Sequence, residues 1–377
     1  MAPIYLDYAA TTPLDPHVAQ EMQAYLTKEG IFGNPASQHF YGLQAKKAID
    51  TAREQVAAVI GSEPSEIIWT SGATESNNLA LKGAAHLYHR KGKHLITLKT
   101  EHKSVLDTCQ QLEKEGYEVT YLMPKTNGLI ELDALKAAIR DDTILISIMH
   151  VNNETGIIQP LSDIAELTAA RGILFHVDAA QSIGKVVINL KSIPVDLLSL
   201  SAHKVYGPKG IGALFLRKKP RVRVEPLIHG GGHEQGMRSG TLPTHQIISM
   251  GVAFHLAQEK MDLEVKKIRY LRDQFVSGLK KISCLHLNSD FHHTVPHIVN
   301  VRFEKMVADA MLKDLTGLCA STASACQGKG TEGSYVLRAM GFLDEQIKSS
   351  IRFSFGRFTT EADIQTTVSS IRAIFQE

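Results

Sequence analysis

The sequence predicts an α/β protein: a mostly parallel, seven-stranded sheet flanked by helices, with a smaller α+β domain beside it. Three observations point there. The chain has 377 residues, a length that suits two domains or one large domain with a smaller one attached. Short apolar, β-branched runs alternate with stretches of helical length over its first two thirds. After about Gly251 that rhythm stops and a different one begins.

The strand candidates are 66–70 (EIIWT), 94–98 (HLITL), 118–122 (EVTYL), 143–149 (TILISIM), 173–177 (ILFHV), 196–200 (DLLSL) and 211–216 (IGALFL). Between the first five lie helical segments at 79–90, 105–115, 132–139 and 161–171. Strands that alternate with helices imply βαβ units, and therefore a parallel sheet covered on both faces. The last two strands are separated by a Gly/Pro turn at 206–210 rather than by a helix, which predicts a sheet edge or an antiparallel strand. A charged, periodic segment at 253–281 reads as a connecting helix. A strand at 298–302 and helices at 308–315 and 361–375 follow. The expected division is a large domain over 15–255 and a small one made of 1–14 plus 256–377.

Apolar residues make up 44% and charged residues 21% of the chain, the profile of an ordinary globular protein. A net charge of +2 is too balanced to favour nucleic acid as a direct partner. No run of 18 apolar residues and no secretory leader is visible, so no membrane span and a cytoplasmic location are expected. Four cysteines, Cys109, Cys284, Cys319 and Cys326, contain no CxxC pair and are too few for a disulfide framework.

Chemistry concentrates at predicted strand ends. In 199–210 (SLSAHKVYGPKG) a strand delivers Ser201, His203 and Lys204 to its carboxyl end, where open α/β sheets bind ligands. A desolvated lysine amine there suits a Schiff base with an aldehyde cofactor. Most lysines before a turn simply face solvent, so its company matters. In 173–181 (ILFHVDAAQ) a buried strand ends in Asp178. Its carboxylate either caps the next helix or meets a cationic ring nitrogen. In 70–78 (TSGATESNN) a strand turns through Ser71 and Gly72 into a helix whose first amides, Ala73 and Thr74, suit a phosphate. His102 (KTEHKS) sits in another strand-to-helix loop, placed to stack on a flat ring or to move protons. A phosphate site, a ring-nitrogen partner, a ring stacker and a Schiff-base lysine are together what pyridoxal phosphate needs.

At this point the chain resembles the cysteine desulfurases of the NifS/IscS type, class-V aminotransferase-like enzymes. The resemblance runs through LDYAATTPLDP near the N-terminus, FGNPAS (32–37), TSGATESNN, MHVNNETG (149–156), HVDAAQS, SAHKVYGPKG, HGGGHEQGMRSGT (229–241) and SSIRFSFGRFTT (349–360), so it covers essentially the whole chain. It implies the aspartate-aminotransferase-like pyridoxal-phosphate fold (fold type I) and a homodimer. It also implies roles. Lys204 carries the cofactor covalently, His102 stacks on the ring and takes part in proton transfer, and Asp178 pairs with the ring nitrogen. Asn153 and Gln181 lie near the ring hydroxyl. Thr74, Ser201 and His203 hold the phosphate, and Thr241 reaches the neighbouring subunit's phosphate. Arg352 grips the substrate carboxylate in a two-pronged geometry, and Asn153 also takes part in binding the substrate.

The sulfur acceptor implied by the resemblance is Cys326, in 321–330 (STASACQGKG), a stretch of small residues and glycines expected to move. Lys329 nearby favours the thiolate. L-Cysteine would lose its sulfur to Cys326 as a persulfide and leave as alanine. Delivery to an acceptor such as an iron–sulfur scaffold would follow, with Cys326 at most a transient metal ligand shared with that scaffold. Two departures from the family pattern stand out. Ala323 replaces a glycine and Gln327 opens a divergent QGKG flank, and the chain stops at Glu377, before the longer tail of closely similar members. Selenocysteine lyase, aminotransferase and non-catalytic dimer are the alternative readings.

Overall fold

A computed structural model describes residues 3–322 and 333–375. The strands in chain order are β1 (Ile4–Tyr5), β2 (Ile67–Thr70), β3 (His94–Leu98), β4 (Glu118–Leu122), β5 (Thr143–Ser147), β6 (Leu174–Asp178), β7 (Leu197–Ser201), β8 (Gly212–Leu216), β9 (Leu285–Leu287), β10 (Ile298–Phe303), β11 (Leu318–Cys319), β12 (Ser321–Thr322) and β13 (Ser350–Ser354). The α-helices are α1 (Pro16–Gln23), α2 (Phe40–Ile60), α3 (Ala73–Tyr88), α4 (Lys103–Lys114), α5 (Leu132–Ala138), α6 (Leu161–Arg171), α7 (Thr244–Leu279), α8 (Ala308–Asp314), α9 (Tyr335–Ala339), α10 (Asp344–Lys348) and α11 (Glu361–Ile374).

Seven strands form one sheet in the order β2-β8-β7-β6-β5-β3-β4. All pairings are parallel except those of β8, which runs antiparallel to both β2 and β7. The expectation of an antiparallel strand at 211–216 therefore holds, but β8 lies inside the sheet and β2 and β4 are its edges. The reason is that β8 follows β7 through the short Gly/Pro turn, which lets it fold straight back beside its predecessor.

The sheet is buried on both faces because successive residues of each strand enter different cores. Trp69, Ile96, Ile146, Leu198 and Phe215 pack on one side with α2, α6 and the first half of α7. Their neighbours Ile68, Leu95, Leu145, Leu197 and Leu214 pack on the other with α3 and α4. Helix α7 is 36 residues long and serves both halves of the molecule. Ile247, Met250, Phe254 and Ala257 belong to the first core, whereas Ile268, Leu271, Phe275 and Leu279 join Val299, Val301, Ile351 and Phe353 in a separate one. That core lies under a second, four-stranded sheet, β12-β13-β10-β9. The N-terminal segment crosses between the two halves: β1 pairs with β11, Asp7 bridges Ser354, and Thr12 meets the β7–β8 turn. No helix among the described residues is long and apolar enough to cross a membrane.

Edge strand β2 is secured by a carboxylate from the loop before α7. Glu234, its side chain 3% exposed, accepts both terminal nitrogens of Arg53 on α2, each at 2.8 Å, and the Trp69 backbone N–H, also at 2.8 Å. Removing one partner of such a pair leaves the other charge buried and unpaired. Glu234→Ala is expected to destabilise the fold by about 3 kcal/mol in urea unfolding, and a loss below ~1 kcal/mol would contradict this account of the edge.

Candidate active site

A cavity of about 580 Å³ opens at the carboxyl ends of the central strands. Ala73, Thr74, His102, Asn153, Asp178, Gln181, Ser201, His203, Lys204 and Arg352 all line it. Each was singled out from the sequence, and all but Arg352 stand on a strand-to-helix connection or at a strand end of the large sheet. Arg352 arrives from β13 of the smaller sheet, so the cavity lies where the two halves of the molecule meet.

The floor is the turn into α3. Gly72 is its N-cap with φ 152°, and no side chain caps the first turn. The unsatisfied amides of that 16-residue helix therefore face the cavity with its positive dipole end. The turn can sit here because β8 begins with Gly212, where an added Cβ would come within 2.6 Å of the Gly72 Cα. Ser201 and His203 follow at the end of β7. Burial, with help from Lys204, pushes the His203 imidazole down to about 4 and keeps it neutral. Its Nδ1 lies 3.1 Å from the Thr11 hydroxyl.

Lys204 is held by backbone. Its Nζ donates to the carbonyl of Ala10 at 2.6 Å and to that of Ala9 at 2.8 Å. The same N-terminal segment fixes the loop around it. The Thr12 N–H and hydroxyl both donate to the His203 carbonyl, at 2.9 and 3.1 Å, and the Tyr206 N–H donates to the Thr12 hydroxyl at 2.7 Å.

Asp178 is 4% exposed and joined to His102 by a chain of polar side chains. The Asn77 amide donates to Asp178 Oδ2 and to the Ser104 hydroxyl, both at 2.8 Å. The Ser104 hydroxyl lies 2.8 Å from His102 Nδ1, which also accepts the Ser104 N–H at 3.1 Å. The Ala180 N–H donates to Asp178 Oδ1 at 2.9 Å. Asp178 thus caps the next turn through Oδ1 while its Oδ2 accepts from Asn77, so the two readings of this residue are compatible. Burial lowers the His102 pKa, and Lys204 lowers it further against the opposing pull of Asp178. With Nδ1 accepting, the proton of the neutral ring sits on Nε2.

Arg352 is 5% exposed. It donates to the Asn153 carbonyl at 2.9 Å, to Asp7 at 2.7 Å and to the Ser321 hydroxyl at 3.0 Å, while its Nε has no partner among the described residues. Thr241 is exposed and outside this cavity. Cys326, with Ala323, Gln327 and Lys329, lies outside the described residues. Of the other cysteines Cys109 is buried, and its thiol is pushed far up by burial, whereas Cys319 is exposed. No His/Cys/Asp/Glu cluster able to hold a metal occurs among the described residues.

Sequence reasoning missed four contributors. Ala9 and Ala10 act through backbone carbonyls, which leave no trace in residue identity. Asn77 was visible inside TSGATESNN, but only the fold aims it at Asp178. Asp7 lies inside LDYAATTPLDP, but only the fold brings it to Arg352 across the two halves.

The set fits pyridoxal phosphate. An uncapped helix start suits its phosphate, the buried carboxylate its ring nitrogen, and a lysine amine its aldehyde. Asn77 is the hinge of the polar chain. Asn77→Ala leaves Asp178 and Ser104 each short of a donor, and is expected to cost about 1–3 kcal/mol of stability in urea unfolding of the cofactor-free protein. An unchanged unfolding midpoint would contradict the network.

The class-V aminotransferase family matches residues 4–367. The chain is 57% identical to the cysteine desulfurase IscS of Salmonella arizonae over 371 residues, which is 98% of this chain and 92% of that protein. Among solved structures, a NifS-like protein superposes with a TM-score of 0.93 at 36% identity, covering 99% of both chains. SspA in complex with cysteine superposes with a TM-score of 0.85 at 39% identity, covering 94% of this chain and 99% of that one. The strand ends, the lysine cradle and these likenesses converge: the chain belongs to the class-V aminotransferase family and, within it, to the cysteine desulfurases.

Proposed function

We propose that this protein is a cytoplasmic, pyridoxal-phosphate-dependent cysteine desulfurase that takes sulfur from L-cysteine, releases L-alanine and keeps the sulfur as a persulfide on Cys326. The observation that carries this reading is that Lys204, Asp178, His102 and the uncapped start of α3 face one cavity.

When bound, pyridoxal phosphate supplies an aldehyde for amines and an electron sink that acidifies the substrate Cα–H and loosens its Cβ–S bond. In this reading Lys204 holds the aldehyde. The amides of Ala73 and Thr74, the Thr74 and Ser201 hydroxyls and His203 hold the phosphate, joined by Thr241 of the partner subunit in a homodimer. Neutral His203 serves as a hydrogen-bond donor there rather than as a counter-charge. Asp178 would hold the ring nitrogen, and Asn77 and the Ala180 N–H orient its two oxygens. Asn153 and Gln181 flank the ring hydroxyl.

Arg352 receives the substrate carboxylate. Its NH2 group donates to Asp7 and Ser321. A two-pronged grip through that nitrogen therefore replaces one of these contacts, which sets the guanidinium in place before substrate arrives. The Lys204 amine would take the substrate Cα proton, with the Ala9 and Ala10 carbonyls holding its hydrogens. His102, uncharged at neutral pH because it is buried, can accept a proton and return it.

The Cys326 thiolate then attacks the substrate sulfur. An S–S bond forms and the Cβ–S bond breaks; the carbon side keeps the electron pair, takes a proton and leaves as alanine. Sulfur is oxidised as carbon is reduced, so no external oxidant is needed. The persulfide is passed to an acceptor protein such as an iron–sulfur scaffold, and Cys326 can contribute only one transient ligand to a cluster there. The two separate cores support a division into 15–255 and 1–14 plus 256–377, with the N-terminal strap crossing between the halves.

The test is alanine and sulfide release from L-cysteine with a reductant present. Wild type should release both. Cys326→Ala should release neither, a loss of at least ~100-fold, while keeping the cofactor's visible absorbance. A Cys326→Ala protein as active as wild type would overturn the persulfide step in favour of a selenocysteine lyase or an aminotransferase.

A further inference from the structure

We propose that Lys185 is a positioning residue for this site: acting through Gln181, its amine turns the Gln181 amide so that an N–H, not the carbonyl, faces the cofactor. The inference rests on the reading that Gln181 flanks the ring hydroxyl of pyridoxal phosphate.

The geometry is a short relay. Gln181 is 3% exposed and lines the cavity. Its Oε1 accepts from Lys185 Nζ at 2.6 Å, and its Nε2 donates to the Ala9 carbonyl at 2.8 Å. That carbonyl also accepts the amine of Lys204. The Ala9 carbonyl can only accept and so takes the NH2 end, which leaves the amide oxygen to the Lys185 amine. Lys185 and the Ala9 carbonyl therefore together fix which end of Gln181 is turned away from the cavity. One hydrogen on Nε2 goes to Ala9, and the second is left for a cavity-side acceptor.

Half-buried Lys185 is an unusual residue to find here. Two pockets of about 10 Å³ border it, walled by Tyr8, Lys204, Tyr206, Glu264 and His297. The charged and titratable groups facing it are mostly cationic or neutral. Lys204 and Arg352 repel its charge, and buried His297 is held well below its ordinary range. Burial raises the phenols of Tyr8 and Tyr206. Glu264 is engaged by Arg357. No carboxylate lies within ion-pair distance of Lys185 among the described residues. Burial first, then Lys204 and Arg352, push its pKa down to about 7. A lysine kept in such surroundings with an amide as its hydrogen-bond partner is poorly explained as a stabilising contact, because desolvation opposes its charge. It is well explained as an orienting one.

The consequence is electrostatic. An N–H against the ring oxygen, held there by the Lys185 amine, would draw electron density from the Schiff-base nitrogen and lower its basicity. The opposite amide face would present a lone pair and raise it.

The test is a pH titration of the visible absorbance of the cofactor-loaded protein. Lys185→Met should raise the midpoint by about one pH unit. Gln181→Leu should do the same, the double variant should move it no further, and Lys185→Arg should restore it. Lys185→Leu serves if the Met variant does not fold. A midpoint unmoved in Lys185→Met but raised in Gln181→Leu would overturn the proposal. If neither variant moves it, the placement of Gln181 beside the ring hydroxyl fails as well. A wild-type protein without a visible band would overturn the cofactor reading itself.

Discussion

The amine of Lys204 hangs from two carbonyls of an N-terminal strap, and most of the site depends on that suspension. Ala9 and Ala10 take hydrogens of Nζ, Thr12 closes on the His203 carbonyl and the Tyr206 N–H, and Gln181 shares the Ala9 carbonyl. The strap is itself anchored in the other half of the molecule, where β1 pairs with β11 and Asp7 meets Arg352. A change in how the halves sit is therefore felt at the lysine through a few residues of backbone. Backbone acceptors suit this task. They cannot titrate, and they hold an amine without neutralising it as a carboxylate would.

The same economy governs the polar interior. Burial lowers the histidines His102, His176 and His203, so these rings act as hydrogen-bonding groups rather than as charges. Glu101 behaves alike: fully buried and raised well above the ordinary carboxylate range, it accepts the Met149 N–H at 2.8 Å. Buried guanidinium groups have matched carboxylate partners, Arg352 with Asp7 and Arg357 with Asp15 and Glu264. Pairing charge in this way limits the desolvation cost of a site at the meeting of two cores.

Much of this was legible in the residues. The strands announced themselves as apolar runs because both faces of the sheet are covered, and the predicted boundaries differ from the observed ones by a residue or two. The helix starts were harder. Helix α3 begins at Ala73, not near 79, because its first turn is polar and lines the cavity, so the apolar stripe starts late. Helix α7 begins at Thr244, not 253, because Ile247, Ile248, Ser249, Met250 and Gly251 are all buried and hide any helical period. Side chains at strand ends could be assigned from type and position. Backbone acceptors such as Ala9 could not, and neither could Lys185, whose role comes from what surrounds it.

The central claim is that this cradle presents Lys204, among several nearby cationic groups, as the amine that carries the cofactor. Borohydride reduction of the cofactor-loaded protein, followed by peptide mass spectrometry, tests it directly. The account predicts one stable cofactor adduct on the peptide carrying Lys204, lost in Lys204→Ala. An adduct on Lys185 or another lysine, or no adduct on a protein that still binds the cofactor, would contradict it.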